Sequence, residues 1–165
     1  MDNNVLNIKD SGTRREFPTG AVRDIQEGKG RCDLIPLDVV SDLFRGDDPY
    51  IPVILNYISC FQKTGLTEFL VWAVKSFINQ FNAFDMLLEV SKHYENGAKK
   101  YGENNWQKGI PVKSYIDSAV RHYFKWLRGD DDEPHDRAFC WNLMSAIWTC
   151  RKYPELNDYR QEVEE

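Results

Sequence analysis

The stretch SYIDSAVRHYFKWLRGDDDEPHDRAFCWNLMSAIWTC, residues 114–150, decides the fold class. Ser114 to Leu127 reads as a helix, with Ser114 and Asp117 at the spacing of a capping box. Asp117, Arg121 and Lys125 recur every four residues, so one face of that helix is charged, and His122 lies beside it. Arg128 to Pro134 reads as an acidic turn. Its run Asp130 to Glu133 is solvated and favours the N-terminus of the next helix. That helix spans His135 to Cys150. His135, Asn142 and Thr149 fall on one stripe that Ala138 and Ser145 complete, while Phe139, Trp141, Leu143, Met144, Ile147 and Trp148 take the remaining faces. Such a small polar stripe either permits close helix packing or lines a wet pocket. Antiparallel pairing of the two helices would bring His122 and His135 together.

The helical period continues upstream. Leu37 to Phe44 forms a short amphipathic helix, ended by Gly46 and Asp47-Asp48-Pro49. Ile51 to Phe61 is a second apolar segment, broken at Thr64-Gly65. Leu66 to Phe81 is a third, with Phe69, Leu70, Trp72, Ala73, Phe77 and Phe81 at helical spacing. Asp85 to Tyr101 is a fourth, carrying Met86, Leu87, Val90 and Tyr94, with Gly102 as its stop. No strand alternation and no internal repeat stand out. The expected fold is all-α: a compact multi-helix domain over 17–153, with a flexible polar arm (1–16), a long N-terminal loop (17–36) and a polar tail (154–165).

The 165 residues fit one domain able to bury roughly 70% of its unfolded surface. A net charge of -5 argues against a protein that coats duplex nucleic acid, yet it leaves room for a local basic pocket. Cys32, Cys60, Cys140 and Cys150 form no CxxC pair, so buried thiols in a reducing compartment are expected. The N-terminus lacks an apolar signal-peptide core, and the uncharged stretch from Tyr50 to Gln62 is too short to span a bilayer. A cytoplasmic protein without membrane partners is expected. Leu66, Phe69, Leu70, Trp72, Val74 and Phe77 cover more than one face of their helix, so a homo-oligomer with its site between subunits is also expected.

Three blocks of sequence carry a resemblance. The first runs from Phe17 through Gly20-Ala21-Val22-Arg23-Asp24 and Gly28-Lys29-Gly30-Arg31 to Asp33-Leu34. The second runs from Gly97-Ala98 through Lys100-Tyr101-Gly102 and Asn105-Trp106 to Lys108-Gly109-Ile110-Pro111. The third holds Ser118-Ala119, Arg121-His122, Gly129, His135 and Trp141-Asn142. Together they resemble the dATP/dGTP diphosphohydrolase N-terminal-domain family of phages and prophages. The resemblance spans roughly residues 17 to 150 and departs at 41–82, which reads as a helical insertion. It implies a phage- or prophage-encoded protein in a bacterial cytoplasm, handling purine deoxynucleoside triphosphates that lose pyrophosphate.

Each block has its own chemistry. In the first, Arg23, Lys29 and Arg31 alternate with Gly20, Gly28 and Gly30. Glycines let backbone amides approach an anion, and guanidinium forks hold phosphate oxygens. The bland alternative pairs these cations with Asp24, Glu27 and Asp33. In the second, Lys100 and Lys108 accompany Tyr101, Asn105 and Trp106, a set able to stack on a base and pair with its edge. Equally, Trp106 reads as a core plug. The third block is the candidate catalytic one, with His122, His135 and Asp117 as acid–base residues, and Arg121 and Asn142 as ligand contacts. His135-Asp136 resembles the paired ligands of HD-type phosphohydrolases.

All-α pyrophosphohydrolases of the MazG type hold Mg²⁺ on helix-borne carboxylates. Glu89, Glu95 and Asp136 are the metal candidates here, with Asp85, Glu89 and His93 read as one face. Three functions compete: a Mg²⁺-dependent pyrophosphohydrolase of dATP or dGTP; a non-catalytic module that sequesters a nucleotide-derived immune signal, with no cofactor; and a helical domain whose basic loop binds nothing.

Overall fold

The computed structural model describes residues 12–160. Among them lie six α-helices: α1 (Leu37–Leu43), α2 (Ile51–Thr64), α3 (Thr67–Ile78), α4 (Ala83–Tyr101), α5 (Val112–Arg128) and α6 (His135–Lys152). Three single 3-10 turns, at Cys32–Leu34, Asn105–Lys108 and Pro154–Leu156, join or follow them. The all-α expectation holds, with one addition. Arg14–Glu16 (β1) and Val22–Asp24 (β2) pair antiparallel as a short ribbon, with Arg15 directly opposite Arg23. Three-residue strands are too short to reveal a period of two, which is why alternation did not expose them. The expected arm is thus in part a strand, and residues 1–11 lie outside the described part.

The helix α6 is central and packs against α3, α4 and α5. Its burial explains its composition: Ala138, Phe139, Leu143, Ala146 and the polar Asn142, Ser145 and Thr149 are all buried. The small stripe therefore admits neighbouring helices closely along most of its length. Phe77 of α3 meets Phe139 at 4.8 Å and Trp126 at 5.0 Å between ring centroids, and Tyr123 stacks on Phe139 at 5.0 Å. Each such aromatic pair contributes about 0.5–1.5 kcal/mol beyond area burial. Residues 41–82 contribute to the common core through Ile54, Leu55, Ile58, Phe61, Leu70, Ala73 and Phe77. Leu66 and Trp72 remain exposed on α2–α3, as do Phe84 and Leu88 on α4.

Two further expectations change. The capping box at Ser114 is absent: α5 begins two residues earlier, after Pro111, and Ser114 is already inside its first turn. Asp117 instead accepts from the backbone N–H of Cys32 at 2.6 Å and from Gln26 Nε2 at 2.9 Å. A distant chain segment outcompeted the local cap. The polar tail is also docked, as far as residue 160. Asn157 Nδ2 donates to the Gly65 carbonyl at 2.9 Å, and Tyr159 lies edge-on to Phe61. Gly65 ends α2 at φ +69°, and a Cβ there would stand 2.7 Å from the backbone of Tyr159 and Arg160.

Candidate functional site

A cavity of about 900 Å³ opens between the β1–β2 ribbon, α4, the Asn105–Lys108 turn and the α5–α6 pair. That is ample for a nucleotide, since ligand pockets run to roughly 300–1,000 Å³. The ribbon, α4, α5 and α6 of a single chain all contribute to its lining.

The ribbon delivers the charge. Opposed positions of an antiparallel pair share a face, so Arg15 and Arg23 both reach the cavity. Like charges directly opposite each other are destabilising. Arg23 is held below the ordinary arginine range first by burial, and Arg15 by burial and then by Arg23. Arg23 Nη2 donates to Ser118 Oγ at 3.1 Å and Asn142 Oδ1 at 2.9 Å, both neutral acceptors. Among the described residues its Nη1 is buried without a hydrogen-bond partner. Three more buried nitrogens of lining residues share that condition: Arg15 Nε, Trp141 Nε1 and His93 Nδ1. Three of these four are obligate donors. Lys29 completes the basic side, and burial lowers its pKa.

Three of the carboxylates that line the cavity are engaged. Asp24 pairs with Lys100 at 2.9 Å and Arg14 at 3.1 Å. Asp117 pairs with Arg121 besides its bonds to Cys32 and Gln26. Glu95, at the exposed edge, pairs with Lys99. The far wall is aromatic. Tyr94 meets Trp106 at 5.3 Å and Trp141 at 5.8 Å, and Tyr101 lies under both Arg14 and Lys100.

Of the residues expected from sequence, Arg23, Lys29, Tyr101, Asn105, Trp106, Asp117, Arg121, His122, Asn142 and Glu95 line the cavity. Several have other work. Asn105 is buried, and its amide bonds both the N–H and the C=O of Val22 at 2.9 Å, so it fastens the ribbon and is not left to read a base. Arg121 donates to the carbonyls of Lys29 and Gly30, so it props the glycine turn. Trp106 wedges between Tyr94 and Trp148, closer to the core-plug reading. Asp117 anchors the fold, accepting from the Cys32 N–H and Gln26 Nε2 and pairing with Arg121.

The rest lie outside the cavity wall. Arg31 forks onto Asp33 at 2.6 Å, on another face. Gly20 sits in the ribbon turn at φ +77°, its carbonyl 3.5 Å from Lys108 Nζ. Lys100 is consumed by Asp24. Glu89 pairs with Arg137 at 3.0 Å and with Lys92. Asp136 accepts from the N–H of Arg137. Glu89, Glu95 and Asp136 do not converge as metal ligands among the described residues. The physical cause is helical drift: residues four apart are offset by about 40°, so Asp85 is exposed while His93, two steps on, is buried. Adjacent His135 and Asp136 likewise face different directions.

The antiparallel α5–α6 pair does bring His122 and His135 together, Nδ1 to Nδ1 at 2.9 Å, and His135 Nε2 lies 2.8 Å from Asp132 Oδ1. His122 borders the cavity; His135 is buried behind it. Burial, then His135, hold the His122 pKa well below the usual histidine value. Burial and Arg137 push His93 down to about 3. Both rings are neutral at physiological pH.

Sequence reasoning missed Arg15, Gln26, Tyr94 and Trp141 as wall residues. Only the strand register places Arg15, and only the α4–α6 packing turns Trp141 toward the cavity.

A family model described as dATP/dGTP diphosphohydrolase, N-terminal, matches residues 74–159. The chain belongs to this family. No curated protein and no solved structure matches it. The family segment takes in α4, α5 and α6, and so most of the cavity. The ribbon with Arg15 and Arg23 precedes it, so the first of the three sequence blocks lies outside the match.

Proposed function

We propose that this chain binds a purine deoxynucleoside triphosphate in the cavity, phosphates against Arg15, Arg23 and Lys29 and base toward Tyr94, Tyr101 and Trp106. The observation that carries the reading is the set of buried donors without partners among the described residues, at Arg15 Nε, Arg23 Nη1 and Trp141 Nε1, all on residues that line the cavity. Leaving a buried donor unsatisfied costs about 1–3 kcal/mol. A phosphate ester, rich in acceptors and negatively charged, relieves that cost for all three and also the repulsion between the opposed arginines. The purine and deoxy character follow from the family's description.

The proposal is of binding. Mg²⁺ requires hard oxygen ligands, usually one or two carboxylates beside the substrate phosphates. Of the carboxylates that line the cavity, Asp24 and Asp117 are tied to Lys100 and Arg121, Glu95 pairs with Lys99 at the exposed edge, and Glu133 stands beside two imidazoles, a mixed set that Mg²⁺ does not prefer. The donor set therefore does not fit a protein-held Mg²⁺, and no cleavage step is derived through it. A module that grips and sequesters a nucleotide is the form of the function this chemistry favours.

Thermal unfolding with dATP, dGTP, dAMP and inorganic pyrophosphate tests the reading. At a hundredfold excess over Kd, binding stabilises by about 2.7 kcal/mol, a Tm rise of about 5 to 10 °C for a chain of this size. Triphosphates should outperform dAMP. If none of the four raises Tm, the cavity is not a nucleotide site.

A further inference from the structure

We propose that His122, His135 and Glu133 form a binding site for a divalent transition metal of the zinc type at the edge of the cavity. One ligand atom from each of the three lies within 4.8 Å of the others. Two imidazole nitrogens and one carboxylate oxygen make the mixed donor set that Zn²⁺, Co²⁺ and Mn²⁺ accept and Mg²⁺ does not prefer.

The spacing of the nitrogens fits a shared ion. Nitrogens each about 2.0–2.1 Å from one metal stand roughly 2.9–3.4 Å apart at angles from 90° to tetrahedral. The two Nδ1 atoms are 2.9 Å apart, so widening by a few tenths of an ångström admits the ion. The outer partner is also in place. His135 Nε2 lies 2.8 Å from Asp132, as ligating histidines pass their second nitrogen to a carboxylate. If that bond uses the Nε2 proton, Nδ1 of His135 carries the lone pair. His122 then needs only to carry its proton on Nε2 for both Nδ1 atoms to face the ion. His135 is buried and fixed on α6, and His122 on α5, so the two nitrogens are held by rigid elements.

The position of the site assigns its use. His122 and Glu133 border the cavity, so a metal there keeps an open coordination position toward the ligand. Three protein ligands with a fourth position open is the arrangement of exchangeable sites. On the nucleotide reading above, that position takes a phosphate oxygen; the metal site itself stands on the three side chains alone.

The test uses the full chain, stripped with chelator, with no nucleotide present. Co²⁺ is followed by its ligand-field absorption and Zn²⁺ by calorimetry. The expected result is a single site with nitrogen and oxygen ligation and no thiolate charge-transfer band, which excludes the four cysteines. Excess Mg²⁺ should not compete. Glu133→Gln and His122→Gln should each weaken Co²⁺ binding by about tenfold or more, and Asp132→Asn by about tenfold, with metal-free circular dichroism unchanged. Should His122→Gln fail to fold, Glu133→Gln at the cavity rim decides alone. Absence of binding, a thiolate-dominated spectrum, or undiminished affinity in Glu133→Gln overturns the proposal. Adding dATP to the Co²⁺ form then shifts the bands if the open position takes phosphate. If Co²⁺ binds but dATP neither moves the bands nor raises Tm, only the nucleotide reading is lost; if dATP stabilises the protein but Co²⁺ fails to bind, only the metal site is.

Discussion

Arg23 Nη2 donates to Asn142 Oδ1 at 2.9 Å, joining residues 119 positions apart in the sequence. The bond ties the β1–β2 ribbon to the centre of α6. It holds the guanidinium so that Nη1, without a partner, stays on the cavity wall. Asn142 is itself fixed, because its Nδ2 donates to the Ala138 carbonyl at 2.8 Å. The arginine is thus oriented by a neutral amide, and among the described residues its hydrogen-bond acceptors are the neutral Ser118 and Asn142.

Arg23→Ala should weaken dATP or pyrophosphate binding by about 10- to 100-fold, the worth of a charge-assisted hydrogen bond of roughly 1.5–3 kcal/mol. Arg31→Ala should leave affinity unchanged, because Arg31 forks onto Asp33 away from the cavity. Calorimetric titration of both variants separates the two. Equal losses would mean that the ribbon acts only as a basic surface.

The Asn105 amide holds Val22 on both sides, accepting from its N–H and donating to its C=O. Asn105→Ala should cost about 2–3 kcal/mol, since two backbone groups lose partners in a closed environment. Urea unfolding measures it. A loss below about 0.5 kcal/mol, the range of ordinary surface changes, would mean that water replaces the amide without penalty.

His93 gives a pH signature. Its folded pKa is about 3, against about 6.5 in an unfolded chain. As pH falls below about 6.5 the unfolded state takes up the proton first, so stability is complete above that pH and declines toward 3. The slope is at most about 1.4 kcal/mol per pH unit for one histidine. His93→Gln should flatten the fall between pH 6 and 4 by that one-proton increment. An unchanged slope would show that His93 charges freely in the folded protein.

Gly65→Ala should destabilise by more than the roughly 1–2 kcal/mol of a left-handed L-residue, because its Cβ would also meet the backbone of Tyr159 and Arg160 at 2.7 Å. Chemical denaturation checks the magnitude. If truncation after residue 156 brings the Gly65→Ala cost back to the left-handed value alone, the clash with the docked tail is the cause.

The sequence by itself determined the helices. Apolar residues at helical spacing over α3 to α6 leave one way to bury them, and boundaries such as Gly65, Gly102 and Gly129 are local backbone chemistry. It also named His122 with His135 as a pair, since a short turn between two helices forces antiparallel neighbours. It named Arg23, Lys29 and Asn142 as ligand contacts, and all three line the cavity.

Only the tertiary structure decided which charges are available. The alternation of cations and acids around Gly20 to Arg31 is compatible with either a phosphate loop or a set of internal pairs. The fold divides these and the other cations of the site: Arg31 and Lys100 go to carboxylates, Arg121 to carbonyls and Asp117, and Arg15, Arg23 and Lys29 to the cavity. Asp117, spaced like a cap and read as a catalyst, became an anchor because Cys32 and Gln26 arrive from more than eighty residues away. Helix and turn preferences act over a few residues and are written in local sequence. Whether a charge is paired depends on which distant segment packs beside it, and that is settled only when the whole core closes.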